Sequence, residues 1–408
     1  MLVIIASLTL RASPPPAIPL PMLCLVCGDL GGVDVVLNVA LFVPLGIALV
    51  VAGLSWPRAA LVSALVSLGI ESLQFSVVAG RDASISDLLT NTFGGTTGAL
   101  LAVHWRQVAR PRPDTARLLG AAAAAFAIAI MAGTAALLRP AIPAMGLWGQ
   151  WTPQQLQFEP YHGTVRDFRV NDIEVPYNVI PESEPLRQRL LTGETRARVA
   201  FDAGASTARL AAIARVGSRV QEVMLLGARG TDFVFRTRLV VRDALLRVPM
   251  IALPEVLPTT GEAVVAEAGL RARHWYATVK TSQGTWHRDV PFAVSLGWTF
   301  LLPWDHPLLP GDEWFSAMWL AALAFPAAAW GALGGEGHAP RGVVNVWWGL
   351  SVTMLSIGLW AIPSLANFSP ATALEWGGLV AGSVVGAIAA WPLRRWTRPN
   401  AISADTRW

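Results

Sequence analysis

Long apolar runs restrict this chain more than any other feature. A helix needs about 20 mostly apolar residues to cross about 30 Å of hydrocarbon. Runs of that kind occur at 35–53, 59–78, 88–103 and 118–138, and again at 315–333, 343–362 and 374–393. No such run occurs between 139 and 310, which is polar, Arg-rich and turn-rich, and this segment reads as a water-exposed domain. Composition agrees: 53% of the 408 residues are hydrophobic and 14% are charged. Mean hydropathy is +0.48. That balance excludes an ordinary soluble enzyme and suits a polytopic membrane protein.

The opening stretch "MLVIIASLTL" is too short for a span. Ten residues before Arg11 make about 15 Å of helix. It reads as the end of a helix that starts upstream or as an anchor that does not cross, and it lacks the small-residue cleavage site of a signal peptide.

Lys280 is the only lysine, so the net charge of +4 is set by arginine. Much of that arginine flanks the apolar runs, where it carries topology rather than a nucleic-acid footprint. No nucleic-acid partner is expected. "HWRQVARPRPDTAR" (104–117) holds Arg106, Arg110, Arg112 and Arg117. The tail "RRWTRPNAISADTRW" (394–408) holds Arg394, Arg395, Arg398 and Arg407. Both segments are expected in the cytoplasm, since short cytoplasmic loops are enriched in Lys and Arg. The run at 118–138 then exports 139–310, and three further spans return the tail inside. The loop with Arg341 falls inside and "PSLANFSPA" (363–371) outside.

The same count places polar residues at the outer ends of three helices. Asp34 and Asn38 are four apart, on one helix face. Glu71 and Gln74 end the second helix, Asp87 and Asn91 start the third, and Arg81 lies in the loop between. Part of this has a plain structural reading. "SISD" (84–87) fits a capping pattern, and Gly94, Gly95 and Gly98 suit close helix packing. Glu71 fits it less well: it interrupts the apolar "LVSLGIESLQFSVV" (65–78), where an ionisable group is costly and normally pairs or works. Arg81 is its natural partner.

These residues sit in three blocks, "DVVLNVALFVPLG" (34–46), "IESLQ" (70–74) and "GRDASISDLLTNTFGGTTG" (80–98). In order and spacing they resemble the motif blocks of the VanZ-like family, small integral membrane proteins named for a teicoplanin-resistance determinant. The resemblance covers about the first 105 residues. It implies that the family's recurrent polar positions are Asp34, Asn38, Glu71, Gln74, Arg81, Asp87 and Asn91 here. It also implies a link to glycopeptide and lipopeptide resistance, without naming a reaction. The first helix is shorter than the family's pattern.

"CLVCG" holds the only two cysteines, Cys24 and Cys27. A C-x-x-C pair can be a disulfide, a redox centre or half of a metal site. With no second pair, a four-thiolate zinc site within one chain is excluded. The outer placement favours a disulfide clasp. No metal or other cofactor is expected.

In the middle segment, "TVRDFRVNDIEVP" (164–176) alternates apolar and polar residues before a proline. Hairpins are expected at 222–241, turning at 228–231, and at 274–294, turning at 282–284. Strands about every 10 residues suggest a β-sandwich. "LQFEPYHGTVRDFRVNDIEVP" and "QEVMLLGARGTDFVFRTR" resemble LamG, concanavalin A-like jelly rolls. Trp148, Trp151, Trp275 and Trp286 could stack on sugars or fill the core. His162, His274 and His287 lack metal-site spacing and read as structural.

The expected chain is therefore a polytopic α-helical membrane protein with an inserted all-β sandwich of jelly-roll type. A membrane module spans 1–105, an Arg-rich cytoplasmic linker and helix 106–138, an extracytoplasmic sandwich 139–310, three helices 311–393 and a cytoplasmic tail 394–408. Two functions fit. The outer cluster binds a membrane lipid, an envelope glycan or a lipid-linked ligand, with the sandwich holding wall polysaccharide. Alternatively, Glu71 or Asp87 serves as acid or base on a lipid-linked substrate, with Arg81 holding a phosphate. The absence of a nucleophile–histidine pair favours the first, and no catalytic residue is assigned.

Overall fold

A computed structural model of the chain describes residues 28–78, 84–153, 158–218, 221–258, 260–335 and 345–395, together with Ile5, Ser7, Thr9 and Val26. Cys24, Cys27, Arg81, Asp82, Arg341, the side chains of Arg394 and Arg395, and the tail beyond lie outside the described residues.

The apolar runs become helices α1 (Gly31–Val51), α2 (Trp56–Ser76), α3 (Ile85–Val103), α5 (Pro113–Leu137), α7 (Glu313–Leu333), α8 (Val346–Ala366) and α9 (Ala373–Arg395). Short helix α4 (Trp105–Ala109) follows α3, and α6 (Ser183–Leu191) lies in the β domain. Six of the described helices, α1, α2, α5, α7, α8 and α9, are long and apolar enough to cross a membrane. The chain is a multi-pass membrane protein. The expected third span, 88–103, is helix α3, and it is not among those six. Its 19 residues include Asp87, Asn91, four threonines and three glycines, which lower its apolarity. The hydroxyls of Thr90, Thr92 and Thr96 donate back to carbonyls one turn earlier, at 2.7 to 2.8 Å, so they carry no unmet donor.

Glycine sets how α1, α2 and α3 pack. A Cβ on Gly94 would stand 2.3 Å from the Val39 carbonyl oxygen, and one on Gly98 would stand 1.9 Å from that of Val43. On the neighbouring face a Cβ on Gly95 would meet Ser63 Oγ at 2.2 Å. Helix α3 is thus seated directly on the backbone of α1 and against a serine of α2, the close approach that small residues permit in membranes. The C-terminal helices use the same device. Cβ atoms at Gly378 and Gly382 would each stand 2.2 Å from an α7 carbonyl, of Ala317 and Ala321.

The described residues divide into two compact units. One contains the chain up to Met131 with Trp314–Ala361 and Ala371–Trp408, and the other contains Ala132–Glu313 with Ile362–Pro370.

The second unit is a β-sandwich of two six-stranded antiparallel sheets. Its strands are β1 (Trp148–Trp151), β2 (Thr164–Val170), β3 (Ile173–Glu174), β4 (Asn178–Val179), β5 (Thr195–Asp202), β6 (Thr207–Gly217), β7 (Glu222–Gly230), β8 (Asp232–Thr237), β9 (Ile251–Leu253), β10 (Ala263–Arg271), β11 (His274–Thr281) and β12 (Gly284–Pro291). One sheet runs β4-β1-β6-β7-β8-β9, the other β12-β11-β10-β5-β2-β3. Strand β5 alternates cleanly, burying Thr195, Ala197, Val199 and Phe201 while its arginines face out. The core collects Phe168, Phe201, Phe233, Phe235 and Trp275.

The expected hairpins form. Arg229 pairs with Asp232 around Gly230 and Thr231, with Gly230 at φ +63°. Thr281 pairs with Gly284 around Ser282 and Gln283. Asn171 and Asp172, at φ +49° and +65°, close β2 onto β3. The β10–β11 turn is less conventional: Ala272 and Arg273 sit at φ +48° and +67°, a left-handed region that disfavours side chains.

The segment Ile362–Pro370 belongs to this unit. Helix α8 ends in a Schellman turn, with Asn367 at φ +62° and the Phe368 amide donating to the Pro363 carbonyl at 2.8 Å. Phe368 then stacks on Phe292, which stacks on Trp275, each pair with ring centroids 4.9 Å apart. The Ser369 amide donates to the Phe292 carbonyl at 2.9 Å. Trp275 is therefore a core residue. Trp151 spends its indole N–H on the Val175 carbonyl.

Candidate functional site in the first three helices

Polar side chains converge where α1 begins, α2 ends and α3 begins. Three local causes put them there. The Ser84 hydroxyl accepts the Ser86 amide at 3.1 Å and starts α3, so Asp87 falls in its first turn. Ser55 and Pro57 start α2, whose 21 residues then carry Glu71 and Gln74 to its far end. Asp34 and Asn38 occupy the first two turns of α1.

The cluster is layered. In the top layer Asn38 Nδ2 donates to Asp87 Oδ1 at 2.9 Å, joining α1 to α3. Glu71 Oε2 accepts the Ser84 amide at 2.8 Å, joining α2 to the start of α3. One turn deeper, Asn91 Nδ2 donates to Ser67 Oγ at 3.0 Å. One turn deeper again, Gly95 faces Ser63, whose hydroxyl returns to the Ala59 carbonyl. Glu71 is 7% exposed and Asn91 2%. Among the described residues, Asn91 Oδ1 and Gln74 Oε1 are buried and accept no hydrogen bond. A buried amide oxygen without a donor is costly.

The structure joins Asn38, Glu71, Asp87 and Asn91 in one cluster. Gln74 points elsewhere, donating to the Thr9 carbonyl at 2.9 Å. Asp34 is exposed, one turn above Asn38. Arg81, the expected partner of Glu71, lies outside the described residues, as do Cys24 and Cys27. Ser67 escaped sequence reasoning because serines within spans usually bond their own helix, and its only signal was its place four residues before Glu71. Ser84 was legible as a cap in "SISD", and it caps α3; its amide's bond to Glu71 was not.

Chemically the cluster is rich in acceptors: two carboxylates, two amides and serine hydroxyls within an otherwise apolar bundle. Among the described residues, no group of three or more His, Cys, Asp or Glu could hold a metal ion. Elsewhere, His287 joins a surface row on the sandwich, with Nδ1 2.8 Å from Thr278 Oγ1 and Nε2 2.7 Å from Asp289 Oδ2.

Residues 6–106 match the VanZ/LLP1 family model. The matched segment contains the whole polar cluster, so the N-terminal module is VanZ-like. The sandwich has no accompanying match to a LamG or concanavalin A family model. No curated protein matches the chain, and no solved structure does.

Proposed function

We propose that this VanZ-like membrane protein is a binding protein of the cell envelope. Its polar cluster takes the polar part of an envelope lipid, a glycan or a lipo- or glycopeptide at the outer face of the membrane. The sandwich, read as a jelly roll of the concanavalin A-like kind, holds wall polysaccharide. Glycopeptide-type antibiotic resistance is the physiological setting that the family likeness suggests.

One observation carries this reading. Three apolar helices bring Asn38, Glu71, Asp87 and Asn91 to one end, and the deepest of them, Asn91, keeps a buried carbonyl oxygen without a described donor. Polar groups inside a membrane bundle mark ligand sites and pathways more often than they serve packing. The arginines of 104–117 support an inner position for that linker, and hence an outer one for the cluster and for 139–310.

Purified full-length protein incubated with labelled cell-envelope lipids tests the proposal. Wild type should retain a labelled lipid, and Asn91→Leu, which removes the free acceptor, should lose it. Equal retention by both proteins rejects the site. Chemical conversion of the lipid would favour the enzymatic alternative. In that alternative Glu71 and Asp87, gathered in one cluster from different helices, act as base and acid on a lipid-linked substrate.

A further inference from the structure

The outer face of the sheet that contains β5 carries a recess of about 590 Å³. That volume falls within the range of small-ligand sites. Helix α6 and the turn after it bring Arg189 and Glu194 to it, β5 brings Arg196, and β10 and β11 bring Glu267, Arg271 and Tyr276. These side chains divide into two groups. Arg196 lies 3.1 Å from Glu267 and 3.7 Å from Asp172, and the Tyr276 hydroxyl donates to Glu267 at 3.2 Å. Those contacts tie the sheet residues to one another. Arg189 gives one N–H to the Asn171 carbonyl at 2.8 Å. Arg271 lays its guanidinium over the Tyr276 ring, 5.0 Å from the centroid. Stacking occupies the face of a guanidinium and leaves the donors at its edge for a ligand. Arg189 from α6 and Arg271 from β10 thus present planar forks suited to phosphate oxygens. Glu194, exposed beside them, can accept from a hydroxyl or an ammonium.

The place of the recess says where such a group comes from. Arg271 ends β10, and the β10–β11 turn beyond it is fixed to the end of helix α8. Arg273 Nη1 donates to the Phe368 carbonyl at 3.4 Å, and the Ser369 hydroxyl donates to the Arg273 carbonyl. Phe368 and Ser369 are the second and third residues past the last of α8, Ala366, and they share the sandwich's compact unit. Helix α8 has 21 residues, a length of about 31 Å. That only just covers a hydrocarbon layer of about 30 Å, so the helix ends at the membrane surface. Headgroups fill roughly the next 5–7 Å. Arg271 stands two residues from Arg273, at most about 7 Å of chain, and its long side chain extends that reach. Ala272 and Arg273 hold φ of +48° and +67°. Such strain is kept mainly where a site uses the geometry, and here it sets Arg271 beside the helix end. We propose that this recess is a headgroup site for a phospholipid of the surrounding leaflet, with the phosphodiester between Arg189 and Arg271 and the polar end of the headgroup toward Glu194. It does not depend on the ligand of the helical cluster, on a polysaccharide held by the sandwich or on the sidedness of the chain.

The test compares wild type with Arg189→Gln/Arg271→Gln and with a control, Arg166→Gln. Arg166 pairs with Asp202 near the opposite ends of β2 and β5, away from the recess. Full-length protein is reconstituted in nanodiscs of phosphatidylcholine with and without phosphatidylglycerol, whose headgroup ends in hydroxyls. Native mass spectrometry then reads the lipid retained after mild release. Wild type and the control should enrich phosphatidylglycerol, and the double variant should lose the enrichment by about tenfold or more, as expected for charge-assisted hydrogen bonds. In parallel, glycerol phosphate and isolated wall polysaccharide are each titrated at constant ionic strength into protein in phosphatidylcholine nanodiscs, and melting is followed. A response to either that the double variant loses, without lipid enrichment in wild type, overturns the lipid assignment. If the double variant does not fold, Arg271→Lys, which keeps the charge but not the fork, takes its place and should lose part of the enrichment. No enrichment in wild type, or equal enrichment in wild type and the folded variants, overturns the proposal.

Discussion

Asn38 and Asp87 come from different helices and meet at 2.9 Å near the end of the bundle. A hydrogen bond to a charged acceptor is worth about 1.5–3 kcal/mol net. A double-mutant cycle with Asn38→Ala and Asp87→Ala should therefore give a coupling energy of about 1.5 kcal/mol or more. Additive losses would mean that the two side chains do not interact. Both residues stood out in the sequence as polar intrusions at helix ends. Their partnership did not, because it depends on how α1 and α3 are rotated against each other. Glu222 makes a second residue-level case. Burial pushes its carboxyl upward, but the charges and hydrogen bonds of Arg236, and then Arg215 and Arg242, outweigh this and hold it below the usual carboxylate value. A carboxylate depressed on folding contributes stability that is complete above its unfolded value, about 4.3. That stability is lost as pH falls through the lower folded value. Thermal melting of wild type should thus show a stability loss below about pH 4, and Glu222→Gln, uniformly less stable near neutrality, should lose less over that window. Identical acid profiles for the two proteins would remove Glu222 from the account.

Helix α3 owes its position to glycine. Gly98→Val would drive side-chain carbon into the Val43 carbonyl, 1.9 Å from the first added atom. Overpacking of this kind costs about 1–3 kcal/mol or more, so the variant should melt early or separate α1 from α3. Gly53→Ala is the contrasting case for space: nothing lies within 4 Å of its Cβ, and only its φ of +97° resists substitution. The β10–β11 turn offers a change in the opposite direction. Ala272 is held at φ +48°, and a non-glycine residue there costs about 1 kcal/mol. Ala272→Gly should raise the melting temperature of the sandwich by about 2–4 °C, and an unchanged or lower value would mean that the turn is unstrained. Nothing in "GLRARHWY" predicts this turn, because it lacks the Asn-Gly or Asp-Gly pair that the geometry favours. The β2–β3 turn at Asn171-Asp172 likewise divides a stretch, 164–176, that alternation alone reads as continuous up to its proline.

Across the whole chain, the strongest expectation concerns sidedness. The arginines of 104–117 and of the tail are expected inside, which puts 139–310 outside. Protease added to intact spheroplasts should cut within 139–310 and spare the tail after Arg394. Cleavage of the tail alone would invert the topology. The loop at 363–371, expected on the same side as the sandwich, contributes Phe368 and Ser369 to the sandwich's own compact unit.

Two things could be read from the sequence alone: the division into apolar helices and a β-rich insert, and the polar residues at the helix ends. Both follow from local pattern, since a 20-residue apolar run has few alternatives to a span and a two-residue alternation few alternatives to a strand. The layering of Asn91 on Ser67, the bond from Ser84 to Glu71 and the gathering of charged side chains around Arg215 were decided by tertiary structure. Each depends on residues far apart in the chain arriving at one place. Arg215, Glu222 and Arg236 lie on three successive strands, and only the register of those strands makes them one cavity. The order of the strands, too, emerged only on folding: β1 pairs with β6 and β5 with β10. Such pairings are set by which faces can be buried together, a property of the whole sandwich that no single segment encodes.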